Sequence, residues 1–136
     1  MDAPAVAVSH DGKTMAAAWM DMRAGRNNRD VQWTVSSGGR FAPETTVHDD
    51  TSGLQGHPAL AIAEDNTVWC AWEDGRGGPN DQRIYVADSK SRKNVPLSDA
   101  SEGKCGYPSL AARQGWVGVV YESTRGVVFR PVTPGR

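Results

Sequence analysis

The chain is 136 residues long, with 38 % hydrophobic residues, 23 % charged residues and a formal net charge of −1. That length is one domain's worth, and the composition is that of a folded rather than a disordered chain. The near-zero charge removes any electrostatic case for nucleic acid or an anionic membrane as partner, and no apolar run approaches the roughly 20 residues of a membrane-spanning helix.

In chain order, Met1-Asp2-Ala3-Pro4 carries neither the basic nor the apolar segment of a secretory leader, so no signal peptide is expected. Residues 4–9 alternate as a first strand, and His10-Asp11-Gly12-Lys13 has turn chemistry. Residues 14–20 make a second strand ending near Trp19, Asp21 to Arg29 a polar loop, and Asp30 to Ser36 a third strand. Ser37-Gly38-Gly39-Arg40 turns the chain into an outer strand from Phe41 to Val47, which Pro43 confines to a sheet edge. The plan then repeats: strands over 58–63, 67–73 and 83–88, and a Pro-bearing outer strand at Val95-Pro96-Leu97. A third copy has strands over 108–112, 116–122 and 127–132, with no fourth strand. No stretch sustains the i, i+3, i+4 apolar spacing of a helix, so none is expected.

The repeat is also visible in the residues themselves. Trp19-Met20-Asp21-Met22-Arg23 recurs as Trp72-Glu73-Asp74-Gly75-Arg76 after 53 residues, and as Tyr121-Glu122-Ser123-Thr124-Arg125 after a further 49. Each copy follows a Pro-led strand, at Pro4, Pro58 and Pro108. β-Rich self-similarity near 50 residues is the signature of propeller blades. The expectation is an all-β fold: a β-propeller-like arc of three antiparallel blades in one domain, over 3–50, 57–100 and an incomplete 107–132. Propellers usually close with four to eight blades. A three-blade arc leaves two faces bare, so either a homodimer closes a six-bladed ring or a further propeller segment completes it.

The plan P-x-φ-A … W-x-D-x-R … D-φ-x-x-x-x-S-x-x-G-x-F resembles bacterial sialidase-like propellers with BNR or Asp-box repeats. Pro4, Ala7, Trp19, Asp21, Arg23, Asp30, Val31, Ser36, Gly39 and Phe41 carry the first copy, and Pro58, Ala61, Trp72, Asp74, Arg76, Ile84 and Ser89 the second. The Asp-box itself is shortened to Ser36-Ser37-Gly38-Gly39-Arg40-Phe41, without its Asp. Enzymes of that family use an arginine triad, a Tyr nucleophile paired with Glu, and an Asp acid/base. Phe129-Arg130-Pro131 only partly matches the family's Arg-Ile-Pro motif, and lies in a different element. The resemblance therefore implies a non-catalytic module binding a glycan or a protein, with a secreted or periplasmic location. A sialidase-type hydrolase fragment, inactive alone, and a self-assembling structural half-propeller are the other readings.

The ligand-facing candidates are Asp21, Arg23, Asp74, Arg76 and Arg125, because the loop after each second strand reaches the face where that family binds its ligand, and His57 in the loop between units. Arginine offers a planar fork for carboxylates, and such a ring could hold an acidic sugar. Repetition in every unit favours a structural role instead, with Asp closing its own loop and Arg bridging blades. His48, Asp49, Asp50 and His57 are residue types for metal or acid–base work, although any polar loop carries them. Tyr121 and Glu122 are adjacent, so on a regular strand they point to opposite faces and form no dyad. The oxygen-rich stretch 74–81 does not have EF-hand spacing, and Trp33, Trp69 and Trp116 suit interblade packing. Cys70 and Cys105 have neither metal nor redox spacing and read as free packed thiols. No catalytic residue, metal or cofactor is expected.

Overall fold

The computed structural model describes residues 2–132 and is all-β, with three antiparallel sheets following one another along the chain. The first sheet contains β1 (Ala5–Val8), β2 (Thr14–Asp21), β3 (Asp30–Ser37) and two short segments, β4 (Arg40–Phe41) and β5 (Thr45–Thr46). The second contains β6 (Gln55–Ile62), β7 (Val68–Asp74), β8 (Arg83–Asp88) and β9 (Val95–Pro96). The third contains β10 (Gly106–Arg113), β11 (Trp116–Ser123) and β12 (Gly126–Val132). Each sheet is a meander paired in sequence order, as in propeller blades, except that β5 of the first sheet returns to pair with β3.

Two expectations need correction. The single outer strand expected over 41–47 is two pieces, both paired to β3, because Pro43 between them has no N–H to give the ladder. One 3-10 turn, Ala100–Glu102, forms where no helix was expected, although no α-helix occurs among the described residues. Asp99 accepts from the Ser101 N–H and Glu102 from the Asp99 N–H, a capping box that satisfies the turn's open amides.

Alternation decides the packing. Ala16, Ala18, Val31 and Trp33 of the first sheet meet Leu60, Ile62, Val68, Cys70 and Trp72 of the second. The other face of the second sheet, with Trp69, Ala71, Ile84 and Val86, meets Val117, Val119 and Tyr121 of the third. The middle sheet is therefore covered on both faces, and β7 is buried from end to end. β6 runs beside β1 and β10, which makes these the innermost strands. Cys70 and Cys105 are buried free thiols. Burial raises both thiols above the ordinary range.

Candidate functional site

The second Trp-x-Asp-x-Arg copy is built as one bonded unit, and the other two realise it in part. In the second copy the buried Asp74 carboxylate accepts from Trp72 Nε1 at 2.8 Å, the Arg76 amide at 3.0 Å and Arg76 Nε and Nη2 at 2.9 Å each. Arg76 continues to Asp49 at 2.8 Å and lies 4.2 Å above the Tyr85 ring. Burial pushes the Asp74 carboxyl up, but the hydrogen bonds from Arg76 and Trp72 outweigh it, and the group sits below the usual carboxylate range. In the first copy Asp21 accepts from the Arg23 amide and Nε at 2.8 and 2.7 Å, and Arg23 also reaches Glu44. Both arginine forks are thus held by carboxylates of the chain. In the third copy Ser123 replaces the Asp, its hydroxyl accepts only the Arg125 amide, and Arg125 stays exposed.

Tyr121 stands where Trp72 stands one sheet earlier, so its polar end needs another acceptor. It donates to the Glu102 carboxylate, 3.0 Å from each oxygen, and Arg130 bonds the same carboxylate at 2.6 Å. Burial and the neighbouring Glu102 raise the Tyr121 phenol, against the opposing effect of Arg130, to about 12. Only 1 % of Tyr121 is exposed, so the pair is a packing device. Tyr121 and Glu122 lie in regular register with Val128 and Val127, so their side chains do point to opposite faces.

His57 is the member of the predicted set that meets other chemistry. Its Nδ1 lies 2.8 Å from Glu73 and its Nε2 3.0 Å from Asp2. The ring therefore stands between two carboxylates, one at each nitrogen. The second oxygen of each carboxylate takes a backbone amide: Asp2 that of His57 at 2.9 Å, Glu73 that of Tyr107 at 2.8 Å. His57 and Tyr107 occupy equivalent places at the starts of β6 and β10, and both hold left-handed backbone, φ 45° and 53°. Non-glycine residues rarely do so, and here each sits at an irregularity in its strand. Gly56 and Gly106 precede them because a Cβ would stand 2.6 Å from the Asp2 carboxylate and 2.7 Å from that of Glu73.

The result is a cleft of about 540 Å³ lined by Arg29, His57, Glu73, Gln82, Lys104, Tyr107, Glu122 and Thr124, among others. A neighbouring hollow of about 310 Å³ shares Arg29, Gln82 and Lys104 with it. Tyr107 is 63 % exposed, with its ring centroid 4.7 Å from that of His57. Of the residues expected at a site, His57 alone lines this cleft. Sequence reasoning missed Asp2, Glu73, Tyr107, Arg29 and Lys104. The repeated Gly-x-Pro at 56–58 and 106–108 was the signal for two of these positions. A separate cavity of about 560 Å³ lies at the opposite, turn-bearing end, beside Asp65, Trp69, Asp88 and Lys90. Three of its charges are closed locally, Lys90 on Asp65 and Ser91 on Asp88. His48 is buried, with Val31 N–H donating to its Nε2 at 3.1 Å and its Nδ1 2.8 Å from the Asp50 carbonyl. Among the described residues no group of three or more His, Cys, Asp or Glu side chains is placed to hold a metal.

No protein-family model matches the sequence, and no curated protein does. Solved structures do share the fold. The chain is similar to a GH43 endo-arabinanase from Bacillus licheniformis, with 14 % identity and a TM-score of 0.55, over 97 % of this chain and 51 % of that one. It is also similar to a prolyl endopeptidase described with inter-domain dynamics in catalysis and specificity, with 11 % identity and a TM-score of 0.51, over 96 % of this chain and 20 % of that one. The chain thus spans about half the length of the first and a fifth of the second. Both likenesses are to β-propeller folds, and the three sheets of this chain are propeller-type blades.

Proposed function

We propose that this propeller segment is a non-catalytic module that binds a carbohydrate on its loop face, in the cleft between His57 and Tyr107. The observation that carries the reading is Tyr107. It is a largely exposed aromatic ring, backed by His57 on one side and fixed by the Glu73 clamp on its own amide, beside a cleft of hydrogen-bonding groups. An apolar platform with a few convergent polar groups is what a small-molecule site requires. The likeness of fold to an endo-arabinanase, and the Asp-box-like repeats of the sequence, put sugars first among ligands to test.

The carboxylates support binding over turnover. Glycoside hydrolysis needs two carboxyl groups free to act on the bond. All four oxygens of Asp2 and Glu73 already lie within hydrogen-bond distance of a nitrogen of His57 or Tyr107. Sialidase-type chemistry through Tyr121 would need a hydroxyl that substrate can reach, and Tyr121 is buried on Glu102. Calorimetry of the chain against arabino-oligosaccharides, galacto-oligosaccharides and sialyllactose tests the reading. Saturable binding that Tyr107→Ala weakens at least tenfold, without loss of thermal stability and without product formation, is expected. Absence of binding across the panel, or a Tyr107→Ala variant that binds as well, refutes it.

The outer sheet faces concern the partner. The third sheet presents Trp116, Val120, Val127 and Phe129 to solvent, and the first presents Val6, Val8 and Met15. The buried contacts within the chain join the later-facing side of one sheet to the earlier-facing side of the next, and the two exposed faces are one of each kind. For the chain in isolation we propose that a second copy covers them, making a ring of six blades. A chain that stays monomeric by light scattering points to additional blades of a longer protein as the natural cover.

A further inference from the structure

We propose that the ligand of this cleft carries a carboxylate, and that Arg29 and Lys104 form its binding pole; the inference rests on the carbohydrate reading above. Most buried or half-buried charge in this structure is matched internally. The half-buried Arg76, Arg83 and Arg130 all pair with carboxylates. Arg29 is half-buried at the end of the β2–β3 loop, yet its side chain has no acceptor among the described residues, and its Nε is enclosed without a partner. Lys104 is exposed and has no carboxylate within salt-bridge distance among the described residues. Both line the cleft beneath Tyr107 and the adjoining hollow, so they stand where the two cavities meet. A guanidinium and an ammonium that line the same two cavities, left without a counter-ion, suit a planar anion.

The repeat shows that the fold does not require these charges. The carbonyl of Arg29 accepts the Gln55 amide, as the carbonyl of Gln82 accepts the Cys105 amide, which makes Arg29 and Gln82 equivalent positions. Gln82 spends its side-chain amide on the Cys105 carbonyl at 2.8 Å, whereas Arg29 has no such local duty. Leu54 precedes Gln55 as Lys104 precedes Cys105, so an apolar residue fills the place of the second cation one sheet earlier. Structural roles repeat from blade to blade, and these two positions depart from their equivalents toward positive charge. The acidic groups facing the pair are Glu73, bound by His57 and Tyr107, and Glu122, which lines only the Tyr107 cavity. The carboxylate therefore belongs at the Arg29–Lys104 end and the hydroxyls of the sugar at the Glu122 and Thr124 end.

The test is an NMR titration of the full chain with galacturonate and, separately, galactose, following the Arg29 Nε–H and the Tyr107 ring. Galacturonate is expected to move both signals, and galactose the Tyr107 ring alone with at least tenfold weaker affinity. Arg29→Gln and Lys104→Leu install the residues that the fold already carries at the equivalent places. Each is expected to weaken galacturonate about tenfold and to leave galactose unchanged, and 0.5 M salt to do the same. If both sugars move Tyr107 equally and Arg29→Gln alters neither, the anionic pole is overturned while the carbohydrate reading stands. If neither sugar moves either signal, both are overturned.

Discussion

Removing the carboxylate of Asp74 and that of Asp21 should have very different consequences, although both belong to the same repeated motif. Asp74→Ala strips an acceptor from the indole N–H of Trp72, which is fully buried, and from the fork of Arg76, which is 18 % exposed. Orphaning a buried donor costs about 1–3 kcal/mol, and removing one partner of a buried ion pair about 3–5. Arg76 keeps Asp49 and the face of Tyr85, so the lower end applies and the loss should be about 3 kcal/mol. Asp21→Ala releases Arg23, which is 69 % exposed and retains Glu44, so about 1 kcal/mol or less is expected. Domains are stable by only about 5–15 kcal/mol, which makes the difference easy to read. Urea unfolding followed by tryptophan fluorescence, with equal slopes for all variants, gives both numbers. If Asp74→Ala and Asp21→Ala lie within about 1 kcal/mol of each other, the buried network is not what holds the middle sheet.

Acid should destabilise the fold through its depressed carboxyls. Lys90 and Thr67 hold Asp65 at about 2, and Asp21, Asp74 and Asp88 also lie below the ordinary range. A carboxyl depressed on folding contributes stability above its unfolded value near pH 3.9 and loses it as pH falls through the folded value, so the urea midpoint should drop between about pH 4 and pH 2. A midpoint constant over that window contradicts the assignment. Cys70 should resist a thiol reagent in the native state, and two thiols should react in urea; fewer than two would mean a disulfide absent from this structure. Light scattering should give a mass near twice 14.6 kDa, and Phe129→Lys, in the middle of the exposed face, should return the monomer with the fold intact. A wild-type monomer removes the second copy as the cover of that face.

The blades were legible because their signals are local. Proline, alternation and the Trp-x-Asp-x-Arg spacing act within a few residues, and β1 to β3, β6 to β8 and β10 to β12 fall where those signals put them. The 3-10 turn was not expected, although Asp99 and Glu102 carry the spacing of a capping box. The backbone of the cleft was not legible. A residue before proline is normally driven to extended backbone, yet His57 and Tyr107 precede Pro58 and Pro108 with positive φ. What overrides the local preference is a carboxylate from a distant part of the chain, Asp2 or Glu73, bonding the very amide that the turn exposes. A contact between Asp2 and His57, 55 residues apart, leaves no mark on the sequence near either.

The same contrast separates architecture from function in this chain. Residues that recur at equivalent places do the same work in the first two blades: Asp21 and Asp74 close their loops, and Val31 and Ile84 give their amides to His48 and Ser98. Repetition there is the mark of a requirement of the blade itself. The cleft is lined by places where the copies disagree: Arg29 against Gln82, Leu54 against Lys104, His57 against Tyr107. Each disagreement exchanges a residue the fold can use for one with a different chemical capacity. These departures converge on one end of the molecule, around one exposed ring, and nothing in blade packing calls for that. A repeat protein builds a unique site only by breaking its repeat, which is why the site is sought here and not in the motif that announces the fold.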